Sequence, residues 1–412
     1  MKIATFSANI TPPVGTCIAG YGLHDVTVVK HDELMLKGIF FDDNGKKALL
    51  ISYDLIGMDS EVVCKIRTQC AEIIGGTQAD VMLSCTHTHG GPHTRFHHLL
   101  NGRDDESTQM VIDRTVEAVK AVKAEDFIEG DWSYYTAHCP VNINRRYVGP
   151  ENRCKMLFRN CELEPIGDGF KDDELGVLLF QDKQGNPQEV LVNFAAHPLA
   201  SHSPGIGGHA LTADYPGLLR KYLEETIGGH ITFVSGAAGD QFPRDAQIGF
   251  QSLDNIARPL ANESVRAVVN MRANPARFKM PDAHLQTMIK KFTVNVDYCQ
   301  NPRQLPRYKS NGEYELELQF LSIGDICFVG VPCELLAELG MEIKWHSPFR
   351  KAFICYNSTD YIDYILPANA LLAGGYEAEC QQFDARTGLK LVNAAVEGMF
   401  EMKNNQMICD WR

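Results

Sequence analysis

The sequence predicts an α/β protein, a mixed β-sheet core with helices on its faces. Short apolar runs of strand length recur along the chain, amphipathic segments of helical period follow them, and turn residues separate the two. Lys47–Asp54 (KALLISYD) is continuously apolar, as a strand covered on both faces should be. Ser60 then reads as an N-cap, with Val63, Ile66, Cys70 and Ile73 on one helical face and Gly75 closing the helix. Val81–Ser84 is the next strand, which makes a β–α–β unit and favours a parallel pair.

The pattern returns in the second half. Glu189–Phe194 reads as a strand, Tyr215–Ile227 as a helix and Ile231–Ser235 as a strand. Asp325–Val331 is a strand followed by a helix through Trp345, and Ala352–Tyr356 is another strand. The stretch Tyr314–Phe328 reads equally as a hairpin turning at Gly324-Asp325. No linker or repeat divides the 412 residues, so a single domain is expected, with an irregular insertion around 273–312.

Charge and cysteine usage narrow the class. With 39 basic and 52 acidic side chains the formal net charge is −13, which disfavours nucleic acid and anionic membrane as partners. A small-molecule partner is expected, with homo-oligomerisation left open. Thirteen cysteines without a CxxC pair read as reduced thiols. The start, MKIATFSANITPPVG, lacks the apolar run of a signal peptide, and no stretch reaches the ~18 apolar residues of a membrane helix, so a cytoplasmic location is expected.

Histidine clustering is the most informative feature. Five of the 14 histidines fall between positions 87 and 98, in SCTHTHGGPHTRFHH, and three more stand at 197, 202 and 209. His87 and His89 follow the strand Val81–Ser84, and His197 follows Glu189–Phe194. Ligands of open α/β sheets bind beyond the carboxyl ends of strands, so both groups can meet in one cleft. Two further strand exits carry carboxylates: Asp240 in Gly236-Ala-Ala-Gly-Asp240, and Glu334 after Pro332-Cys333, expected in the first turn of a helix. Imidazole and carboxylate together suit Zn²⁺ with a position left for water. Each residue alone has a plainer reading: a His-x-His pair bonding carbonyls, a dipole-stabilised glutamate, an aspartate in a turn.

Taken in order, CTHTHGGP, NFAAHP, GAAGD and VPCE, then Tyr361-Ile-Asp-Tyr364 and Tyr376-Glu377, resemble the catalytic domain of the neutral/alkaline (non-lysosomal) ceramidases. Ala8-Asn-Ile-Thr-Pro-Pro, Gly20-Tyr21-Gly22 and Asn142-Ile-Asn-Arg145 are similar to that family's entry segment and Asn-Arg element. The resemblance implies that family's catalytic-domain fold and one zinc per chain, held by His87, His197, Glu334 and Tyr364, with Tyr361 replacing Tyr364 if the alignment slips by one turn. It places His89 beside the ligands or the substrate and Arg145 against the substrate carbonyl. His93, His202, His209, Tyr361 and Phe242 are expected on the substrate side. The family carries a serine two residues after the aspartate, where this chain has Phe242 in Gly239-Asp240-Gln241-Phe242-Pro243. Its immunoglobulin-like domain has no counterpart in these residues.

The expected function is zinc-dependent hydrolysis of an amide (N-acyl) bond in a small polar substrate. Asp240 or His89 would move the proton and Arg145 would stabilise the oxyanion. A sugar-derived glycoside, ester or lactone is the alternative substrate, and an inactive binding scaffold the non-enzymatic one.

Overall fold

The computed structural model describes residues 1–412 except 21–24, 97–101, 157–169, 202–208, 245, 247–248, 281–282, 297–311 and 411–412. An eight-stranded sheet runs, in spatial order, His230–Ser235, Pro187–Phe194, Glu174–Asp182, Ile128–His138, Lys2–Asn9, Met35–Asp43, Lys46–Tyr53, Val81–Cys85. Its outermost pairs are parallel and the inner ones antiparallel. The predicted β–α–β unit therefore forms, with the helix Ser60–Ile74 between Lys46–Tyr53 and Val81–Cys85. Ser60 is the first helical residue rather than the cap. Asp59 holds the cap position, and the Asp360 carboxylate accepts the Ser60 N–H at 2.9 Å. The buried stripe ends on Ile74 instead of Ile73.

A second, four-stranded sheet orders Leu285–Asn295, Glu313–Ile323, Ile326–Gly330 and Lys351–Cys355. The hairpin reading of 314–328 is the observed one, with Gly324 at φ 56° in the turn. The region expected to be irregular contains Leu285–Asn295, paired with Glu313–Ile323 along eleven residues. Its Ile289-Lys-Lys-Phe292 stretch is half exposed on a sheet edge, so its strand character is not announced by a continuous apolar run.

Alternation along the strands shows how the layers stack. Ile39, Leu50, Met82, Leu178, Leu191 and Val234 of the large sheet pack against Leu321, Ile323, Phe328 and Phe353 of the small one. The opposite face of the large sheet packs on two helix pairs, Ser60–Ile74 with Asp105–Ala121 and Asp214–Thr226 with Ser252–Ala273. The outer face of the small sheet is covered by Ala337–Trp345 and Thr387–Asp410. The result is a four-layer α/β/β/α sandwich. Strands covered on both faces have no solvent side to keep polar, which is why their sequences read as continuous apolar runs.

Stacking the sheets also draws the two edges of the large sheet together. Ser52 donates to the Phe233 carbonyl, Ser235 to the Thr86 carbonyl at 2.7 Å, and the Tyr356 N–H to the Ser235 carbonyl at 3.1 Å. The carboxyl ends of Val81–Cys85, Pro187–Phe194, His230–Ser235 and Lys351–Cys355 thereby meet at one place. Phe328 sits fully buried between the sheets. Phe328→Ala is expected to lower stability by about 3–5 kcal/mol in urea unfolding, with the transition remaining cooperative.

Candidate metal centre

The strand exits carry the site. After Cys85, the Thr86 N–H bonds the Tyr53 carbonyl and the His87 N–H the Leu55 carbonyl, so the parallel pairing continues two residues past the strand. His87 then turns at φ +71°, a left-handed conformation that costs a non-glycine residue about 1–2 kcal/mol and persists where the surroundings over-determine it. His197 lies three residues past Pro187–Phe194, its N–H held by the Gln241 carbonyl at 3.0 Å. Glu334 is on the two-residue strand Glu334–Leu335, paired in parallel with Tyr364–Ile365, and the helix starts only at Ala337. This corrects the helical placement expected of Glu334: the backbone stays extended until Leu336, and the carboxylate is aimed by a sheet rather than by a helix dipole.

Each histidine ring is fixed by a carbonyl at Nδ1. His87 bonds Ile56 at 2.7 Å, His89 bonds Gly20 at 3.1 Å and His197 bonds Ala238 at 2.6 Å. A carbonyl oxygen only accepts, so in a neutral ring the proton sits on Nδ1 and Nε2 offers a lone pair. Those nitrogens converge. His87 Nε2 and His197 Nε2 each lie 3.2 Å from Glu334 Oε2, and His89 Nε2 lies 3.4 Å from His87 Nε2. The three imidazoles form a group able to hold a metal ion. Donors bonded at about 2.0–2.1 Å in a tetrahedral shell stand about 3.3–3.4 Å apart, which the two 3.2 Å spacings from His87 and His197 to Glu334 approach. Lone pairs facing one another at this range in a buried site repel unless a proton or a metal cation lies between them, and with Nδ1 already donating to a carbonyl the donor set is able to hold a divalent ion.

Charge balance agrees. Burial works against ionisation of Glu334, yet His87 and His197 hold its carboxyl well below the usual range. Burial and then the charge of Arg145 push His197 down to about 4, and burial together with His87 pushes His89 well down. Metal binding needs an ionised carboxylate and neutral imidazoles, which the shifts of Glu334 and His197 favour.

Around this group the tyrosines divide their tasks. Tyr361 donates its hydroxyl to Glu334 Oε1, and Tyr356 donates to Oε2 at 3.0 Å. Tyr364 instead accepts from Arg145 Nη2 at 3.1 Å. Tyr361 is thus the tyrosine hydroxyl bonded to Glu334, while Tyr364 stands with Arg145. Arg145 is buried and fixed through Nε to Glu377 at 2.7 Å, and Arg146 shares the same carboxylate. Close approach also demands glycine twice: a Cβ on Gly20 would lie 2.1 Å from His89 Nδ1, and one on Gly57 2.1 Å from the Tyr361 ring.

The other expected site residues are placed differently. Asp240 is buried, and burial raises its pKa; its oxygens accept from Asn144 at 2.7 Å, Gln241 at 3.0 Å and the Ala337 N–H at 2.9 Å. The carboxylate ties the Asn-Arg element to the start of a helix. Phe242 packs with Ile143, Leu199 and Ala246. His93 is buried and pushed down to about 4 by burial and then by Arg95. His209 meets the Val26 carbonyl at 3.3 Å, and His202 lies outside the described residues. Tyr356, Asn357, Glu377 and Arg95 have site contacts that no sequence reading assigned. The Asn357 amide lies 3.0 Å from His87 Nδ1, and the only advance signal was the polar run Asn357–Asp360 directly after a strand.

Fold and site together define a class, an α/β/β/α sandwich with a histidine–carboxylate centre at its strand ends. No family model matches the chain. Neutral ceramidase B of Dictyostelium discoideum is 27% identical over 211 residues, 48% of this chain and 27% of that protein. Neutral ceramidase A of the same organism is 24% identical over 203 residues, 46% of this chain and 27% of that protein. The matched stretch therefore spans about a quarter of the curated relatives' length. The crystal structure of neutral ceramidase from Pseudomonas aeruginosa aligns with a TM-score of 0.78 at 16% identity, covering 97% of this chain and 74% of that one. A ceramidase complexed with C2 aligns with a TM-score of 0.79 at 15% identity, covering 98% and 75%. The fold is that of the neutral ceramidase structures, and about half of the sequence is similar to neutral ceramidases, as the ordered motifs imply.

Glu377→Gln is expected to leave the fold intact and to loosen Arg145, because a charge-assisted bond to Nε becomes a neutral one. If Arg145 contacts the reacting carbonyl, kcat falls about 10–100-fold while KM for the same substrate changes less than about threefold. Steady-state kinetics against a chromogenic N-acyl substrate measures this.

Proposed function

We propose that this protein is a zinc-dependent hydrolase of amide (N-acyl) bonds. The observation that carries the proposal is the convergence of three carbonyl-anchored imidazoles and one ionised carboxylate on a common point. The reaction class is supported by the partial similarity to neutral ceramidases. The residues that would hold the ion are His87, His197 and Glu334, all buried, with Tyr361 closing the second carboxylate oxygen. The chemistry a bound zinc supplies is Lewis acidity toward a carbonyl oxygen and toward water.

The chain's own groups supply the rest. His89 is the member of the imidazole group that is not fully buried, so it faces the side from which substrate and water arrive. Its lowered pKa keeps it neutral near pH 7, as a general base must be. His89 takes the proton from the attacking water and returns it to the amine leaving group. This task falls to His89 because the Asp240 oxygens are occupied by Asn144, Gln241 and a helix N–H. Arg145, held by Glu377 and bonded to Tyr364, stabilises charge that develops on the carbonyl oxygen. Phe242 supplies no hydroxyl, so no step passes through that position.

Two measurements test the reading. Purified protein should contain about one zinc per chain, and Glu334→Gln or His197→Ala should weaken zinc binding by about 100-fold or more. His89→Gln should retain zinc while kcat falls about 10²–10⁴-fold. Turnover of an N-acyl substrate that survives complete chelation, or a protein that takes up no divalent ion, would overturn the proposal.

A further inference from the structure

Among the described residues, three arginines with little exposure are each held by two or more hydrogen bonds. Arg220 grips Asp54 through both terminal nitrogens, one at 2.8 Å. Arg67 reaches Val81 at 3.1 Å, Glu317 and Gln319 with its three nitrogens. Arg146 bonds Glu377 and two backbone carbonyls, at 2.9 and 2.7 Å. Arg95 differs. Its side chain is 15% exposed, its Nε is buried with no acceptor, and its carboxylate contact is a single 3.4 Å approach to Asp363. The other oxygen of Asp363 is occupied by Gln382 at 3.2 Å.

A guanidinium carries five N–H donors, and leaving them under-used in a buried place is costly. Arg95 occupies such a place beside the centre described above: its guanidinium carbon lies 4.2 Å from the centroid of the Tyr361 ring, whose hydroxyl is bonded to Glu334. A planar fork stacked on an aromatic wall, with a buried Nε that has no acceptor, can bind an oxyanion, and nearby Tyr361, Asp363 and Glu334 keep it charged against burial. In a chain of net charge −13, such a cation is also what an anionic substrate needs in order to approach.

We propose that Arg95 is a specificity residue that receives an oxyanion of the substrate, a carboxylate or a phosphate ester, on the Tyr361 side of the centre. Resting on the amide-hydrolase reading, this names the substrate class as anionic N-acyl compounds rather than neutral ones. The test uses three substrates with one acyl chain: N-octanoylglycine, N-octanoylethanolamine phosphate and neutral N-octanoylethanolamine. Zinc-loaded protein is expected to show kcat/KM about 10–100-fold higher for one anionic substrate than for the neutral one, the span of a charge-assisted hydrogen bond. Which anion wins distinguishes carboxylate from phosphate. In Arg95→Gln that ratio should fall toward 1, and Arg95→Lys should restore part of it. A merely structural role would lower all three rates together and leave the ratio unmoved. Equal wild-type rates, or a ratio unchanged in Arg95→Gln, overturn the inference. If no substrate turns over, the hydrolase reading has failed separately, and calorimetric binding of the same compounds decides: an anionic preference lost in Arg95→Gln sustains the role of Arg95, and no preference or no binding overturns it.

Discussion

Four electron-pair donors pointing at one buried place is the constraint on which the site depends. Each imidazole is held at Nδ1 by a carbonyl of a different segment, at Ile56, Gly20 and Ala238, so its lone pair is aimed before any ligand arrives. The arrangement is unfavourable by itself, because like-signed lone pairs and a carboxylate crowd together away from water. A divalent cation converts that repulsion into bonding. The left-handed turn at His87 belongs to the same account: strain concentrates where a scaffold forces side chains together for chemistry.

The four-layer architecture makes the crowding sustainable. Two sheets packed face to face bury strands on both sides and bring their carboxyl ends to one edge. Histidines from the two halves of the large sheet then stand within reach of a glutamate that follows a strand of the small one. Hydroxyl and amide groups bridge the seams, as Asn193 does by donating to both Val234 and Ile354 at 2.9 and 3.0 Å. Such buried bonds fix register, since a strand displaced by one residue would leave them unpaired.

Around the centre, charge is distributed unevenly. Glu377 serves two arginines, Arg145 and Arg146, and so leaves a net positive charge behind Tyr364. Arg95 stands over Tyr361, with Asp363 at 3.4 Å and the charge of Glu334 nearby. Two aromatic rings backed by guanidinium groups therefore flank a centre built of three imidazoles and one carboxylate. That field favours negative charge on an incoming molecule or on the oxygen of a reacting carbonyl.

The sequence by itself determined the α/β class, four strands of the large sheet, the helices Ser60–Ile74, Asp214–Thr226 and Ala337–Trp345, and the identity of several residues that gather at the strand ends. Periodicity and apolar runs are local properties, and strand exits are where α/β folds present ligands. It also carried, through the order of short motifs, the resemblance that the fold bears out. The second sheet was not legible, because the alternation that assigns residues to two buried faces looks like one unbroken apolar run. Nor was the side-chain division of labour: that Tyr361 rather than Tyr364 is bonded to Glu334, that Asp240 is occupied in anchoring a helix, and that Arg95 is left under-used. Those outcomes depend on directions and distances between segments up to hundreds of residues apart, and only tertiary packing fixes them.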